Sequence, residues 1–515
     1  MPRSHQLVRA GILVLFALGL NKITGFVKLL LTTTAFGAGS TADAFTAANQ
    51  LPELFGAMLA SGALSAAVIP VYAAYWVTGN ERQARPFANT VVTLTILVMS
   101  GVGLIAGWLA LPVTRTLLAP DFPPAQQVQT AELMQVLLIA MTLYGISSIF
   151  SSLLNVHQHF LTPALTGLFV DLGQIVGLIF LVPHWGILGL AWGSVLGTLA
   201  GWLIQIPPFL QRRIATRPQL AVRQASVGEV LRLMGPRIIT MGAMQAVDLL
   251  LIRLASPLTA GSISAFFYAH LIIVSMPKTL FTLAITTVIF PTLAEQHHHG
   301  EAQAVRTTVR QALVIAWALI IPGAVGLVAL GEPAVAFLLQ RGAFDATATR
   351  LVYTLLAIFA LRLIVETAQE ILVLPFYTRH DTRTPMWIYL GWMVLNGALY
   401  YLFVGPWGIY GLAWAATAAA VVATLALYWY NQRTVTHLDT GALLRHTGRI
   451  LLATAGMTTV IWVIRQVGLP LLPYLISAIT GGGLVYGLLY SLLGGRELLF
   501  LLDLLPGRAE VARAP

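Results

Sequence analysis

Residues 185–192 read "WGILGLAW" and residues 407–414 read "WGIYGLAW", seven of eight positions identical at a spacing of 222. One apolar octapeptide recurs by chance easily; a set of matches at one offset does not. Thr162-Pro163 returns as Thr384-Pro385, Ala38-Gly39-Ser40 as Ala260-Gly261-Ser262, and Phe45 as Phe267, all at that offset, while Ile69-Pro70 resembles Phe290-Pro291 with one residue of drift. The phrase is therefore one line of a long internal repeat.

Composition says what is repeated. Of 515 residues, 57% are hydrophobic and 9% charged, and the mean hydropathy is +0.82, outside the range of a soluble domain. Apolar runs of about 20 residues each suffice to cross a bilayer as a helix. They occupy approximately 8–34, 43–77, 87–113, 131–156, 161–182, 186–209, 229–256, 262–294, 310–331, 350–376, 384–404, 408–431, 447–468 and 472–494. This pattern predicts an all-α polytopic membrane protein of about 14 transmembrane helices. The first run is long, contains Asn21 and Lys22 and lacks a small-residue cleavage site, so it reads as a retained helix and not a signal peptide. With no cysteine, disulfides and thiolate metal sites have no basis.

The formal charge of +10 does not point to nucleic acid, because the cations are scattered over short loops. Arg3, Arg9, Arg82, Arg85, the group Arg212, Arg213, Arg217 and Arg223, and then Arg306, Arg310, Arg379, Arg383, Arg433, Arg445, Arg449, Arg496 and Arg508 fall on one side, against Arg115, Arg341, Arg350 and Arg465 on the other. The positive-inside bias puts the first set, and both termini, in the cytoplasm.

Each copy of the opening phrase starts an even-numbered span, the sixth or the twelfth. Spans one to six are thus repeated as spans seven to twelve in the same direction: two parallel six-helix repeats plus two C-terminal helices. The expected parts are a six-helix lobe over 1–210, a cytoplasmic linker over 211–228, a second lobe over 229–432, and the extra pair with a short tail over 433–515. Transporters built from such halves bind substrate between them and rock to alternate access. Glycines at four-residue spacing, Gly193/Gly197/Gly201, Gly103/Gly107 and Gly483/Gly487, predict close helix packing.

A Lys, Arg or Asp at a helix centre costs roughly 2.5–3.5 kcal/mol on insertion scales, so ionisable residues within spans are candidates for function. Lys22 falls at ~18 Å depth at a helical rise of 1.5 Å per residue, too deep to snorkel easily; Lys28 is nearer the outer face. With Asn21 and Thr24 they predict a hydrated cationic lining suited to a phosphate-bearing head group. The second half carries Arg237, Asp248, Arg253, Lys278, Arg362, Glu366 and Glu370. Arg362 and Glu366, four apart, are expected to neutralise each other; Asp248 is a candidate ion or proton site, and Asp171 and Asp43 are weaker ones. HExxH, GxSxG, P-loop and CxxC patterns are all missing, so no enzyme is expected. His297, His298 and His299 read as a solvated run in a cytoplasmic loop.

"NKITGFVKLL" (21–30), "DAFTAANQLPELF" (43–55), "SGALSAAVIPVYAAY" (61–75), "LLNVHQHFLTPAL" (153–165), "LQRGAFD" (339–345), "FYTRHDTRTP" (376–385) and "LFVGPWGIYGLA" (402–413) resemble the MurJ/MviN lipid II flippases of the multidrug/oligosaccharidyl-lipid/polysaccharide exporter superfamily. The resemblance runs over nearly the whole chain and is weakest in the last two spans. It implies a bacterial inner-membrane flippase that moves undecaprenyl-pyrophosphate-linked glycan, lipid II first, to the outer leaflet. It also implies a cationic cavity between lobes, a groove for the prenyl tail made with the last two helices, and cell-wall synthesis enzymes as possible neighbours. Under it Lys22 and Lys28 take places usually held by arginine, Gly56 and Ala57 replace an arginine pair, and Leu271 replaces another beside His270. The substrate-binding candidates are then Lys22, Lys28, Asn21, Asp43, Lys278 and His270. No cofactor is expected; sodium or a proton stays open as coupling ion, with Asp248, Asn396 and Thr417 as weak ligands and Tyr400 where an acid is usual. Another lipid-linked oligosaccharide, multidrug or cation antiport, and a non-transporting scaffold are the alternatives.

Overall fold

The computed structural model describes residues 2–61, 63–214, 217–221, 225–434 and 437–495, and every regular element among them is a helix. Arg223, Arg496 and Arg508 lie outside the described residues, as do the side chains of Arg3, Arg9 and Arg237. The chain forms two compact units, Met1–Ser264 with Arg341–Phe344, and Ala265–Gln340 with Asp345–Pro515.

In chain order the helices that begin in the first unit are α1 (Pro2–Phe36), α2 (Ser40–Phe55), α3 (Ala63–Val77), α4 (Glu81–Trp108), α5 (Ala110–Val113), α6 (Pro124–Val156), α7 (Leu161–Val176), α8 (Val182–Trp185), α9 (Ile187–Leu203), α10 (Ile206–Gln211), α11 (Ala225–Ala255) and α12 (Ser262–His270). The second unit continues with α13 (Met276–His298), α14 (Ala302–Leu330), α15 (Glu332–Leu339), α16 (Ala346–Leu372), α17 (Leu374–Thr378), α18 (Arg383–Thr434), α19 (Thr440–Gln466) and α20 (Leu471–Leu492). Among the described residues nine helices are long and apolar enough to cross a membrane. One of them, α18, is two helices joined at a break at Gly408. The units do not coincide with the sequence repeats: α11, which opens the second repeat, packs on α2 and α3.

The repeated phrase has a backbone cause. Gly186 (φ 56°, ψ −141°) and Gly408 (φ 56°, ψ −134°) adopt the same positive-φ conformation, which a residue with a Cβ rarely takes. The next glycine of each copy is also matched: a Cβ on Gly189 would strike the backbone of Leu181, and one on Gly411 the backbone of Phe403, positions that again differ by 222. The chain writes the phrase twice because two hinges of one geometry need two glycines each.

Lipid tails are as apolar as leucine, so helices in a membrane associate through close packing and interhelical hydrogen bonds. In the first unit Gly173 of α7 and Gly177, the residue that follows that helix, meet Gly193 and Gly197 of α9, where any added Cβ would overlap backbone. The other expected glycine contacts differ: Gly103 faces Thr142, whereas Gly107, Gly483 and Gly487 have open space around the Cβ position. Spacing alone does not say which face of a helix is covered. In the second unit α19 and α20 pack against α14, and α20 is fastened by tyrosines: Tyr486 donates to Ala318 O (2.6 Å) and Tyr474 to Leu330 O (3.2 Å). Asp345 and Asp439 cap α16 and α19 by accepting from the N–H groups of Ala348 and Ala442.

Candidate functional site

The first unit contains a cavity of about 570 Å³ whose walls come from α1, α2, α6, α7, α9 and α11. Three residues on one face of α1, Asn21, Thr24 and Lys28, converge on Asp171 of α7. Lys28 Nζ donates to Asp171 Oδ1 at 2.6 Å and Thr24 Oγ1 to Oδ2 at 3.4 Å. Asn21, with its amide nitrogen turned to α7, donates to Oδ2 at 2.9 Å and to Gly167 O at 3.3 Å. The spacing i, i+3, i+7 places the three donors in line. Gly25 allows the approach, since a Cβ there would stand 3.3 Å from Asp171 Oδ2.

Amides complete the lining. Asn49, Gln174 and Gln245 face the cavity; Gln174 donates to Ser194 Oγ (2.7 Å), and Asn49 donates to Glu53, whose carboxylate also lines the space. Gly56 and Ala57, at the start of a π-helical turn over Gly56–Ser61, form another part of the wall. Among the described lining residues the charged groups are Lys28, Asp171 and Glu53. The lining is therefore mixed, where the sequence pointed to cationic. The depth of a lysine is readable from α1, whereas the carboxylates opposite it arrive from α2 and α7.

The remaining candidates are dispersed. Lys22 is exposed on α1 and is not among the lining residues. Asp43 is buried, and its carboxylate accepts from Gly261 N–H (2.6 Å), Ser264 N–H (2.7 Å) and the Ser264 hydroxyl (2.7 Å): it caps a turn and does not face the cavity. Asp248 is half-buried on α11, three residues beyond the cavity-lining Gln245.

In the second unit the structure gathers a second charged group. Lys278 lies 3.1 Å from Glu366 Oε2 and 2.9 Å from Glu370 Oε1, and Arg362 Nε donates to Glu366 Oε1 at 2.6 Å. The expected Arg362–Glu366 pair is present, and Lys278 joins it from α13. His270 stands edge-on to Phe359 (5.7 Å), with Nδ1 3.3 Å from Ser275 Oγ. Asn396 and Thr417 are both buried in α18; Thr417 donates to Ala413 O (2.9 Å), and Asn396 Oδ1 has no hydrogen-bond partner. A separate apolar pocket of about 340 Å³ is walled by α14, α16, α18 and α19, Leu313, Trp317, Leu372 and Leu443 among its residues.

Sequence reasoning passed over Glu53, Asn49, Gln174 and Gln245. Glu53 had a signal: it is an acid inside the apolar run over 43–77.

Among the described residues every regular element is a helix and nine helices are long and apolar enough to cross a membrane, which defines a multi-pass membrane protein. The chain is a member of the MurJ family: the profile of the family described as lipid II flippase MurJ matches residues 32–477. Among curated relatives, a probable lipid II flippase MurJ of Haemophilus influenzae is 29% identical over 469 residues, covering 86% of this chain and 90% of its own length. The lipid II flippase MurJ of Burkholderia cenocepacia is 26% identical, covering 79% and 80%. Among solved structures, a lipid II flippase MurJ in an inward closed conformation superposes with a TM-score of 0.80 at 22% identity over 95% of this chain and 100% of that one. An inward-facing multidrug resistance transporter of the MATE family gives 0.62 at 13% identity, covering 84% and 99%. These last two likenesses concern the fold.

Proposed function

We propose that this protein flips an undecaprenyl-pyrophosphate-linked glycan, lipid II, from the cytoplasmic to the outer leaflet of a bacterial inner membrane by alternating access, with both termini in the cytoplasm. The family match over residues 32–477 carries the reading. The site chemistry agrees with it. Flipping makes and breaks no covalent bond, so the protein has to shelter a polar head group from hydrocarbon. An amide-rich cavity with Lys28 in its wall supplies donors and acceptors for sugar hydroxyls and acetamides, and an ammonium for a phosphate oxygen. The apolar pocket on α19 is of a kind to hold prenyl units. Cell-wall synthesis enzymes are the expected protein partners.

The test is complementation. In a bacterium depleted of its resident lipid II flippase, this chain is expected to restore growth and the appearance of lipid II on the outer leaflet, and Lys28→Ala to reduce that rescue while the protein still inserts. A stably inserted wild-type chain that leaves lipid II inside would refute the reading. For the coupling ion, sodium-dependent transport that Asn396→Leu abolishes is the expected sign, because Asn396 Oδ1 is a buried oxygen without a donor. One observation favours a second reading: Asp171 and Glu53 make carboxylates outnumber cations among the described lining residues, as a cation antiporter requires. Drug efflux lost in Glu53→Gln, together with failed complementation, would decide for it.

A further inference from the structure

We propose that Asp171 is a built-in competitor of the anionic cargo for Lys28, so that the cavity binds a phosphate-bearing lipid only by exchanging it for the protein's own carboxylate. This rests on the cargo reading above.

The charge of Lys28 is already matched within the protein: it is paired with Asp171 at 2.6 Å, with side chains 32% and 12% exposed. An incoming phosphate cannot use the ammonium fully without weakening that contact. The exchange is feasible because the carboxylate is not stranded by it. Asn21 and Thr24, both on α1, remain as donors to Oδ2, and a buried acceptor that keeps neutral donors avoids the full desolvation penalty. The other titratable groups among the described lining residues are Glu53 from α2, held by Asn49, and Tyr144 from α6; α9 carries no charged side chain.

Selectivity follows from the competition. A small anion gains only Lys28, displaces Asp171 and meets Glu53 in the same cavity, so its contacts cancel. A larger cargo adds contacts beyond its phosphates, hydrogen bonds from a glycan to Asn49, Gln174 and Gln245 or apolar contact of a prenyl chain with Leu137, Ala140 and Met141, and wins the exchange. The returning carboxylate then favours release, which a flippase needs as much as capture.

The full chain in lipid nanodiscs is titrated with farnesyl diphosphate and with inorganic pyrophosphate, alongside Asp171→Asn, Asp171→Ser and the double variant Asp171→Asn/Lys28→Met. The wild type is expected to bind farnesyl diphosphate and to leave pyrophosphate unbound. Asp171→Asn is expected to bind farnesyl diphosphate about tenfold more tightly, the size of one charge-assisted contact, and to gain pyrophosphate binding; the double variant loses both gains. Asp171→Ser gives the same result by another route if the asparagine variant does not fold. Equal or weaker binding by the folded aspartate variants, with the wild type still binding farnesyl diphosphate, overturns this inference and leaves the cargo reading standing. No diphosphate binding by the wild type or the variants overturns both.

Discussion

Two of the lysines named as candidates from the sequence, Lys28 in the first unit and Lys278 in the second, end in opposite circumstances. Lys28 has one carboxylate, Asp171, in the wall of a cavity. Lys278 has two, Glu366 and Glu370, and Glu366 is shared with Arg362. The first pair can open toward a ligand because each partner keeps an alternative, donors from α1 for the carboxylate and cavity space for the lysine. The second group is a set of two cations and two anions closed around Glu366, and withdrawing that one shared carboxylate leaves Arg362 and Lys278 a counter-charge short.

The largest expected effect breaks the closed set. Glu366→Ala leaves Arg362 and Lys278 without the carboxylate they share, and removing one partner of a buried pair typically costs about 3–5 kcal/mol. Thermal unfolding in detergent should show a large drop in midpoint. Asp171→Asn, in the open pair, is expected to cost less than about 1 kcal/mol, since Lys28 is partly solvated. Equal losses for the two would erase the distinction between the sites.

Packing around the open pair gives the next effect. Gly173→Ala places a Cβ into the backbone of Gly197, and overpacking of this kind typically costs about 1–3 kcal/mol. Because α7 also carries Asp171, the shift should loosen the ion pair and raise farnesyl diphosphate affinity along with the loss of stability. Gly25→Ala is gentler: its Cβ would stand 3.3 Å from Asp171 Oδ2, so the carboxylate moves a few tenths of an ångström. The expected result is a small gain in diphosphate binding at nearly unchanged midpoint, measured by the same titration.

What was legible in the sequence divides along the same line. The helices, the repeat and its glycine hinges are written in runs and offsets within the chain, and Gly186 and Gly408 carry the same φ and ψ as their shared motif requires. The Arg362–Glu366 pair was legible too, being one helical turn apart. The pairings that define the candidate site were not, because Lys28 and Asp171 are separated by 143 residues and Lys278 and Glu366 by 88. Asp43 shows the limit from the other side: a carboxylate in an apolar run invites a functional reading, yet its oxygens are occupied by the turn at Gly261–Ser264. Period and depth locate a charge along a helix; only tertiary contact says what faces it.

The smallest expected effect separates both ion-pair sites from a third titrating group at the end of α6. His157 follows the last residue of α6, with Nε2 3.0 Å from the Tyr72 hydroxyl and its ring 4.0 Å from that of Trp76. Burial, and secondarily the Arg212 guanidinium, push its pKa down from 6.5 to about 4. Between those values the unfolded chain binds the proton that the folded chain refuses. Its contribution to stability is therefore complete above pH 6.5 and declines as pH falls toward 4. A modest fall in unfolding midpoint between pH 7 and pH 5 is expected in the wild type and in Asp171→Asn alike, and His157→Phe, which keeps an aromatic ring against Trp76, should reduce it. A slope left unchanged in His157→Phe would show that the acid sensitivity does not arise at this imidazole.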